Sequence, residues 1–208
     1  IVYMIGIIDT GFGNIQSINN IYFEKNIRTK IISNIDDFNG IDKIILPGIG
    51  SFDALISNLS KLNFNDILNE LVIIKKIPIL GICLGMQVFF NSSQEGSLKG
   101  FGWIKDNIEK MNFTGVRLPH MGWNQIYKNN DNFLFKDISD GGYFYFLHSY
   151  GNILNKDNTH LTHLTYTTHG KKFVSSINYK NIYGVQFHPE KSHSNGMKLL
   201  TNFAQIDA

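Results

Sequence analysis

The chain has 208 residues, of which 43% are apolar and 17% charged, with a formal net charge of +2. That supports one domain over residues 1–208 with a sizeable core, and excludes a disordered chain. There is no basic block and no apolar run of transmembrane length, so neither a nucleic-acid nor a membrane role is expected. The single cysteine, Cys83, forbids an internal disulfide and fits a cytoplasmic chain.

In chain order, Ile1 to Tyr3 precede Met4 and are given no role. The run Val2 to Ile8 lacks the basic start and cleavage site of a signal peptide. Tyr3 to Ile8 reads as a buried strand, and Asn14 to Glu24 as a helix. Lys30 to Ser33 and Lys43 to Leu46 read as further strands. Ser51 to Val72 carries helical spacing, with Phe52, Leu55, Ile56 and Leu59 on one face. Pro78 to Ile82 is a strand, and Met86 to Phe90 opens a helix. This alternation predicts a parallel sheet covered by helices on both faces. From Trp103 the pattern becomes strand and turn, with glycine connections at Gly122, Gly141 and Gly142. Phe173 to Ile177 and Tyr183 to Phe187 are late strands, and Ser194 to Ala204 a closing helix. The second half is therefore an antiparallel extension of an α/β domain.

The most informative stretch is Pro78-Ile-Leu-Gly81-Ile-Cys83-Leu84-Gly85-Met-Gln87. An apolar strand runs into Gly-x-Cys-x-Gly and then a helix, the form of a nucleophile elbow with Cys in place of Ser. The flanking glycines remove side chains that would clash at so sharp a turn. The helix N-terminus that follows offers N–H groups and partial positive charge to a thiolate. A cysteine without this setting is more often a small buried hydrophobe, and the Gly-x-Cys-x-Gly turn after an apolar strand reverses that reading for Cys83.

Gly184-Val-Gln-Phe-His188-Pro189-Glu190-Lys-Ser192 supplies a base and an acid. If the strand before it stays extended, His188 and Glu190 share a face, because side chains two apart do. Pro189 discourages helix there. The trio then follows triad logic: nucleophile, base, and a carboxylate that holds the base in one tautomer. Without Cys83, the pair is a surface histidine beside an unrelated Glu.

The loop Leu46-Pro47-Gly48-Ile49-Gly50-Ser51 follows a strand and opens a helix, so its uncovered N–H groups, with that of Leu84, are candidates for an oxyanion hole. As a bare motif it is a tight turn. Asp9-Thr-Gly11-Phe-Gly13 lacks the third glycine of a dinucleotide loop, Gln16 standing there. His160, His163 and His169 read as a solvated strand and turn, not as a metal site. Tyr143 to Phe146 reads as core and sheet surface.

Gly-Ile-Cys83-Leu-Gly-Met-Gln with a distant Phe-His188-Pro-Glu190 resembles the class I (triad) glutamine amidotransferases. Pro47 to Phe52, Leu118-Pro-His-Met-Gly-Trp-Asn124, Phe146-Leu-His-Ser-Tyr150 and Gln186 to Ser192 are, more narrowly, similar to the glutaminase subunits of imidazole glycerol phosphate synthases. The resemblance implies a flavodoxin-like α/β fold without metal or cofactor. It implies a triad of Cys83, His188 and Glu190, and an oxyanion hole at Gly48, Ile49 and Leu84. It implies a glutamine pocket from Gly48, Gly50, Leu84, Gln87, Glu95, His148, Ser149 and Tyr150, with Glu95 facing the substrate's α-amino group and backbone around Ser149 its carboxylate. The docking face would hold Asn14, Pro119, Met121, Trp123 and Lys191. There a (β/α)8-barrel cyclase would form the heterodimer and take ammonia into imidazole glycerol phosphate and an aminoimidazole carboxamide ribotide, for histidine biosynthesis. Two other readings share the triad: ammonia supply to a sugar-amidating synthetase, and a thiol peptidase.

Overall fold

Short runs of Ile, Leu and Val bounded by polar turns form strands that are buried on both faces. The computed structural model describes residues 3–130, 132–153 and 164–207. The first half contains β1 (Ile5–Ile8), α1 (Ile15–Glu24), β2 (Thr29–Ile32), β3 (Lys43–Gly48), α2 (Phe52–Lys61), α3 (Phe64–Asn69), β4 (Ile79–Cys83) and α4 (Leu84–Gln87). The middle contains β5 (Phe90–Ser93), β6 (Ile104–Lys110), β7 (His120–Gln125), β8 (Tyr127–Lys128), β9 (Tyr143–His148) and β10 (Tyr150–Gly151). The last part contains β11 (Thr165–His169), β12 (Lys171–Tyr179), β13 (Ile182–Val185) and α5 (His193–Gln205).

One eight-stranded sheet runs β2-β1-β3-β4-β13-β12-β11-β8. The strands from β2 to β13 are parallel, and β12, β11 and β8 continue the sheet antiparallel. This is the mixed α/β architecture with an antiparallel extension that the patterning predicts. Alternation along the strands feeds two apolar layers. Ile5, Ile7, Ile45, Leu80 and Ile82 meet Ile18 and Tyr22 of α1 and Leu199, Leu200 and Phe203 of α5. Ile8, Ile44, Leu46 and Ile79 meet Phe52, Leu55 and Leu59 of α2 and Phe64 and Leu68 of α3. Each such fully buried side chain contributes about 1.5–3 kcal/mol from apolar transfer. The Tyr22 hydroxyl donates to Leu200 O at 3.0 Å and ties the two helices of one layer together.

Several elements depart from the sequence reading. The helical stretch from Ser51 breaks at Asn63, which is left-handed at φ 58°, a conformation that Asn tolerates. The helix expected over Met86 to Phe90 ends at Gln87. The carbonyls of Val88, Phe89 and Phe90 accept from Phe101, Ile104 and Gly102, so no helix can continue. Gly122 lies within β7, paired with Phe146, and is not in a connection. Two small sheets, β10-β6-β5 and β7-β9, stand apart from the main one. Tyr3, given no role, lays its ring 3.1 Å from Nζ of Lys43, a buried ammonium with no hydrogen-bond partner among the described residues, and burial holds its pKa down to about 8. Among the described residues no helix is long and apolar enough to cross a membrane.

Helix α4 crosses β3 at backbone contact. A Cβ on Gly85 would lie 1.8 Å from Leu46 O, and one on Gly81 2.6 Å from Gly85 O. Backbone on both sides leaves no soft neighbour to yield. Gly85→Ala is therefore expected to destabilise the fold by about 3 kcal/mol or more. An unchanged urea midpoint by circular dichroism would refute this packing.

Candidate active site

Strand β4 ends at Cys83, whose backbone sits at φ 55° and ψ −111°. A non-glycine residue held there stores roughly 1–3 kcal/mol of strain, and the close Gly81 and Gly85 contacts maintain it. The helix after it is a single turn, so Cys83 gains local N–H groups and not the dipole of a long helix. Cys83 pairs in register with Gly48 on β3, which sets the Gly48–Gly50 loop beside it. On the other flank Ile82 pairs with Val185, so the chain leaving β13 delivers Gln186 and His188 to the same edge.

His188 N donates to Tyr145 O at 2.8 Å, and Ser192 Oγ donates to His188 O at 2.6 Å. The extended run stops there. Pro189 opens a 3₁₀ turn over Pro189–Lys191, using its preset φ, where the sequence reading made it an obstacle to helix. The turn, and not strand alternation, folds Glu190 back so that Oε1 lies 2.9 Å from His188 Nδ1. Both side chains are 2% exposed. The sulfur and His188 Nε2 are not closed into a well-aligned hydrogen bond, yet the sulfur is near enough for the negative charge of a thiolate to act on the ring. Such contacts commonly tighten only around substrate. Burial opposes charge on His188, but Cys83 and then Glu190 outweigh it and push its pKa up to about 10.

Cys83 and His188 open on a cleft of about 260 Å³, lined also by Ile49, Gly50, Leu84, Gln87, Glu95 and residues 147–150. The expected pocket residues thus meet, with Gly48 behind the wall and Glu190 behind His188. Phe52 N donates to Glu95 Oε2 at 2.9 Å, while burial raises the Glu95 carboxyl above its ordinary range. Asp53 accepts from Ser97 N and Leu98 N and so anchors the loop that carries Glu95. Gln87 Nε2 donates to Tyr150 O and to Gln186 Oε1, both at 2.9 Å. Gln186 Nε2 then faces Cys83 Sγ at 3.7 Å. Gln186 was not singled out from sequence. It lies within the segment that carries His188, but only the fold shows its contact with Cys83.

His148 is pushed down to about 3, chiefly by burial, and His120 to about 4, again by burial first. Of the expected docking residues, Met121 and Trp123 are exposed on β7, Trp123 stacking on His193 at 5.0 Å. Lys191 lies over the Tyr145 ring of the adjacent β9, and Asn14 precedes α1. Pro119 lines the cleft itself. His160 and His163 lie outside the described residues. His169 packs on His120.

A model of the family described as Glutamine amidotransferase class-I matches residues 7–206. The chain belongs to the class-I glutamine amidotransferases. Amidotransferase relatives named as imidazole glycerol phosphate synthase subunit HisH include that of Leptospira interrogans, 42% identical, covering 98% of this chain and 100% of that one. The HisH 2 subunit of Methanococcus maripaludis is 44% identical, covering 96% and 98%. A chain of the PurLQS structure from Thermotoga maritima superposes with a TM-score of 0.75 at 14% identity, covering 99% of both, which shows a shared fold.

Opposite shifts on neighbouring histidines give opposite pH dependences. A raised His188 stabilises the fold fully below its unfolded value of about 6.5 and loses that contribution as pH rises toward 10. The lowered His120 and His148 stabilise fully above about 6.5 and lose it as pH falls toward 4 and 3. In ¹⁵N NMR, His188 is expected to titrate near 10, and Glu190→Gln to bring its midpoint down. A midpoint near about 6.5 in the intact chain would refute the ion-pair geometry.

Proposed function

We propose that this chain is the glutaminase subunit of an imidazole glycerol phosphate synthase, acting in histidine biosynthesis. The observation that carries it is the convergence of Cys83, His188 and Glu95 on one small cleft, in a chain about 40% identical to HisH subunits over nearly its whole length. A cleft of about 260 Å³ suits a free amino acid better than a peptide chain.

In the proposed cycle, Cys83 Sγ attacks the carboxamide carbon of L-glutamine. The oxyanion rests on N–H groups of Leu84 and the Gly48–Gly50 loop, where each donor is worth about 3–4 kcal/mol in the transition state. His188 gives its proton to the leaving nitrogen, and ammonia departs from a glutamyl thioester. His188 then takes a proton from water, the hydroxide adds, and glutamate leaves through a second oxyanion. Glu190 holds the imidazole Nδ1–H throughout, matching the 2.9 Å contact. Glu95 takes the substrate's ammonium group. Both amide hydrogens of Gln87 are committed within the wall, so it offers substrate its Oε1.

Ammonia released into water at neutral pH is protonated and stops being a nucleophile. A docked partner that receives it directly is therefore part of the reading. We propose a (β/α)8-barrel cyclase in a cytoplasmic heterodimer, seated on Met121, Trp123, Lys191, Asn14 and Pro119. The exposed ribbon of Met121, Trp123 and Leu147 supports this, being apolar at the rim of the cleft.

Glutamate release from glutamine is expected to rise when the cyclase and its substrate are added. Cys83→Ala is expected to cut it by about 10³-fold or more. Full activity in that variant would sink the scheme. Trp123→Ala is expected to weaken complex formation about tenfold while leaving the thermal midpoint unchanged. Unaltered affinity in calorimetry would remove the anchor.

A further inference from the structure

Behind the cleft runs a hydrogen-bonded chain whose direction is set independently at both ends. At the far end, Asn124 Oδ1 accepts from Gln125 N at 2.8 Å, and Asn124 Nδ2 donates to Thr168 O at 3.0 Å. The amide orientation is thereby locked. Its second N–H meets His120 Nε2 at 3.1 Å, so that nitrogen is an acceptor. A neutral His120 then carries its proton on Nδ1, which lies 3.1 Å from His148 Nε2. At the near end, His148 Nδ1 lies 2.8 Å from Tyr150 O, a carbonyl that can only accept. His148 must be Nδ1–H with a free lone pair on Nε2, which is what His120 requires. The two ends demand the same tautomers.

The chain does not stop there. Tyr150 O also accepts from Gln87, Gln87 donates to Gln186, and Gln186 presents its N–H to Cys83 Sγ. His120 is held flat between Phe146, at 4.8 Å, and His169, at 4.2 Å, so it cannot swing away. His120 and His148 are both buried. Among the described residues, the charges acting on the pair are those of His169 and His188, and both would resist a proton arriving there.

We propose that His120 and Asn124 are positioning residues for the glutaminase reaction: they lock His148 in its Nδ1–H tautomer and so keep Tyr150 O and the Gln87–Gln186 amides aligned on Cys83. The inference rests on the reading of the cleft as a glutaminase site, but its first readout does not. Were His120 unable to donate, His148 Nε2 would be a buried acceptor without a partner, and a proton arriving there at low pH would no longer compete with a hydrogen bond. Only in acid would the cleft wall then gain a positive charge, but at any pH the Tyr150 carbonyl would lose its fixed neighbour.

The tautomer is read directly by ¹⁵N NMR of the full chain, with no need for turnover. His148 is expected to show a protonated Nδ1 and a bare Nε2, and His120 the same. Asn124→Asp replaces the donor at His120 Nε2 by a carboxylate. His120 should then move its proton to Nε2, and His148 Nε2 should become protonated in turn. His120→Phe keeps the stacked ring but removes the donor, while His120→Asn keeps an N–H near the Nδ1 position. With the synthase partner present, kcat/KM of His120→Phe is expected to fall about tenfold and gain a new acid limb, the scale of one lost buried hydrogen bond. His120→Asn is expected to restore most of it. A bare Nδ1 on His148 in the unsubstituted chain would overturn the proposal. So would Asn124→Asp leaving the His148 nitrogens unmoved, or equal losses in both His120 variants with the pH profile unchanged.

Discussion

The site depends on the passage of α4 over β3 with no side chain between them. Leu46 O would lie 1.8 Å from a Cβ on Gly85, so only glycine lets the turn after Cys83 close. The turn in turn forces Cys83 to φ 55°, which lifts its side chain out of the sheet edge toward the cleft. A parallel sheet makes that position useful. Adjacent strands end side by side, so β3 brings the Gly48–Gly50 loop and β13 brings His188 to the flanks of one residue. The spacing of Cys83, the Gly48–Gly50 loop and the segment carrying His188 then follows from strand register, about 4.8 Å per strand. Strain at Cys83 persists because the packed layers of the sheet outweigh it many times over.

Electrostatics divides the histidines of this edge into two kinds. His188 has a thiol on one side and a carboxylate on the other, and charge on its ring is favoured despite burial. His148 has a carbonyl on one side and a neutral imidazole on the other, and burial wins. The same low-dielectric setting thus yields one ring that holds a proton and one that refuses it. The difference matters chemically. In the proposed cycle His188 must hold its proton for the departing ammonia. The 2.9 Å contact with Glu190 and the neutral chain behind His148 act together to keep it in place.

Much of this was legible in the sequence, for a local reason. The strand-turn-helix around Cys83 is written in ten consecutive residues, and the segment carrying His188 and Glu190 in nine. The parallel sheet was readable from alternating apolar runs. What escaped was set by contacts between distant parts. Nothing local at Phe90 says that residues 101–104 will take the carbonyls of 88–90 and end the helix. The pairing of His188 with Glu190 was foreseen, but by strand alternation, whereas Pro189 builds a 3₁₀ turn that does it instead. Gln186 reaches Gln87 across 99 residues of chain, and no periodicity encodes that.

The two-residue period of β7 ties the remaining parts together. His120 and Asn124 point inward to the hydrogen-bonded chain, and Met121 and Trp123 point outward, where Met121 is 66% and Trp123 46% exposed. β9 repeats the division, Phe144, Phe146 and His148 inward against Tyr143 and Leu147 outward. A strand has no independent faces. The inner residues are in hydrogen-bond register with the cleft, and the same backbone carries the outer ones. His120, facing His148 across the ribbon, is held on all sides, with both ring nitrogens committed and its ring stacked on Phe146 and His169. The exposed apolar ribbon therefore lies one residue out of phase with the hydrogen-bonded wall of the cleft, on the same two strands.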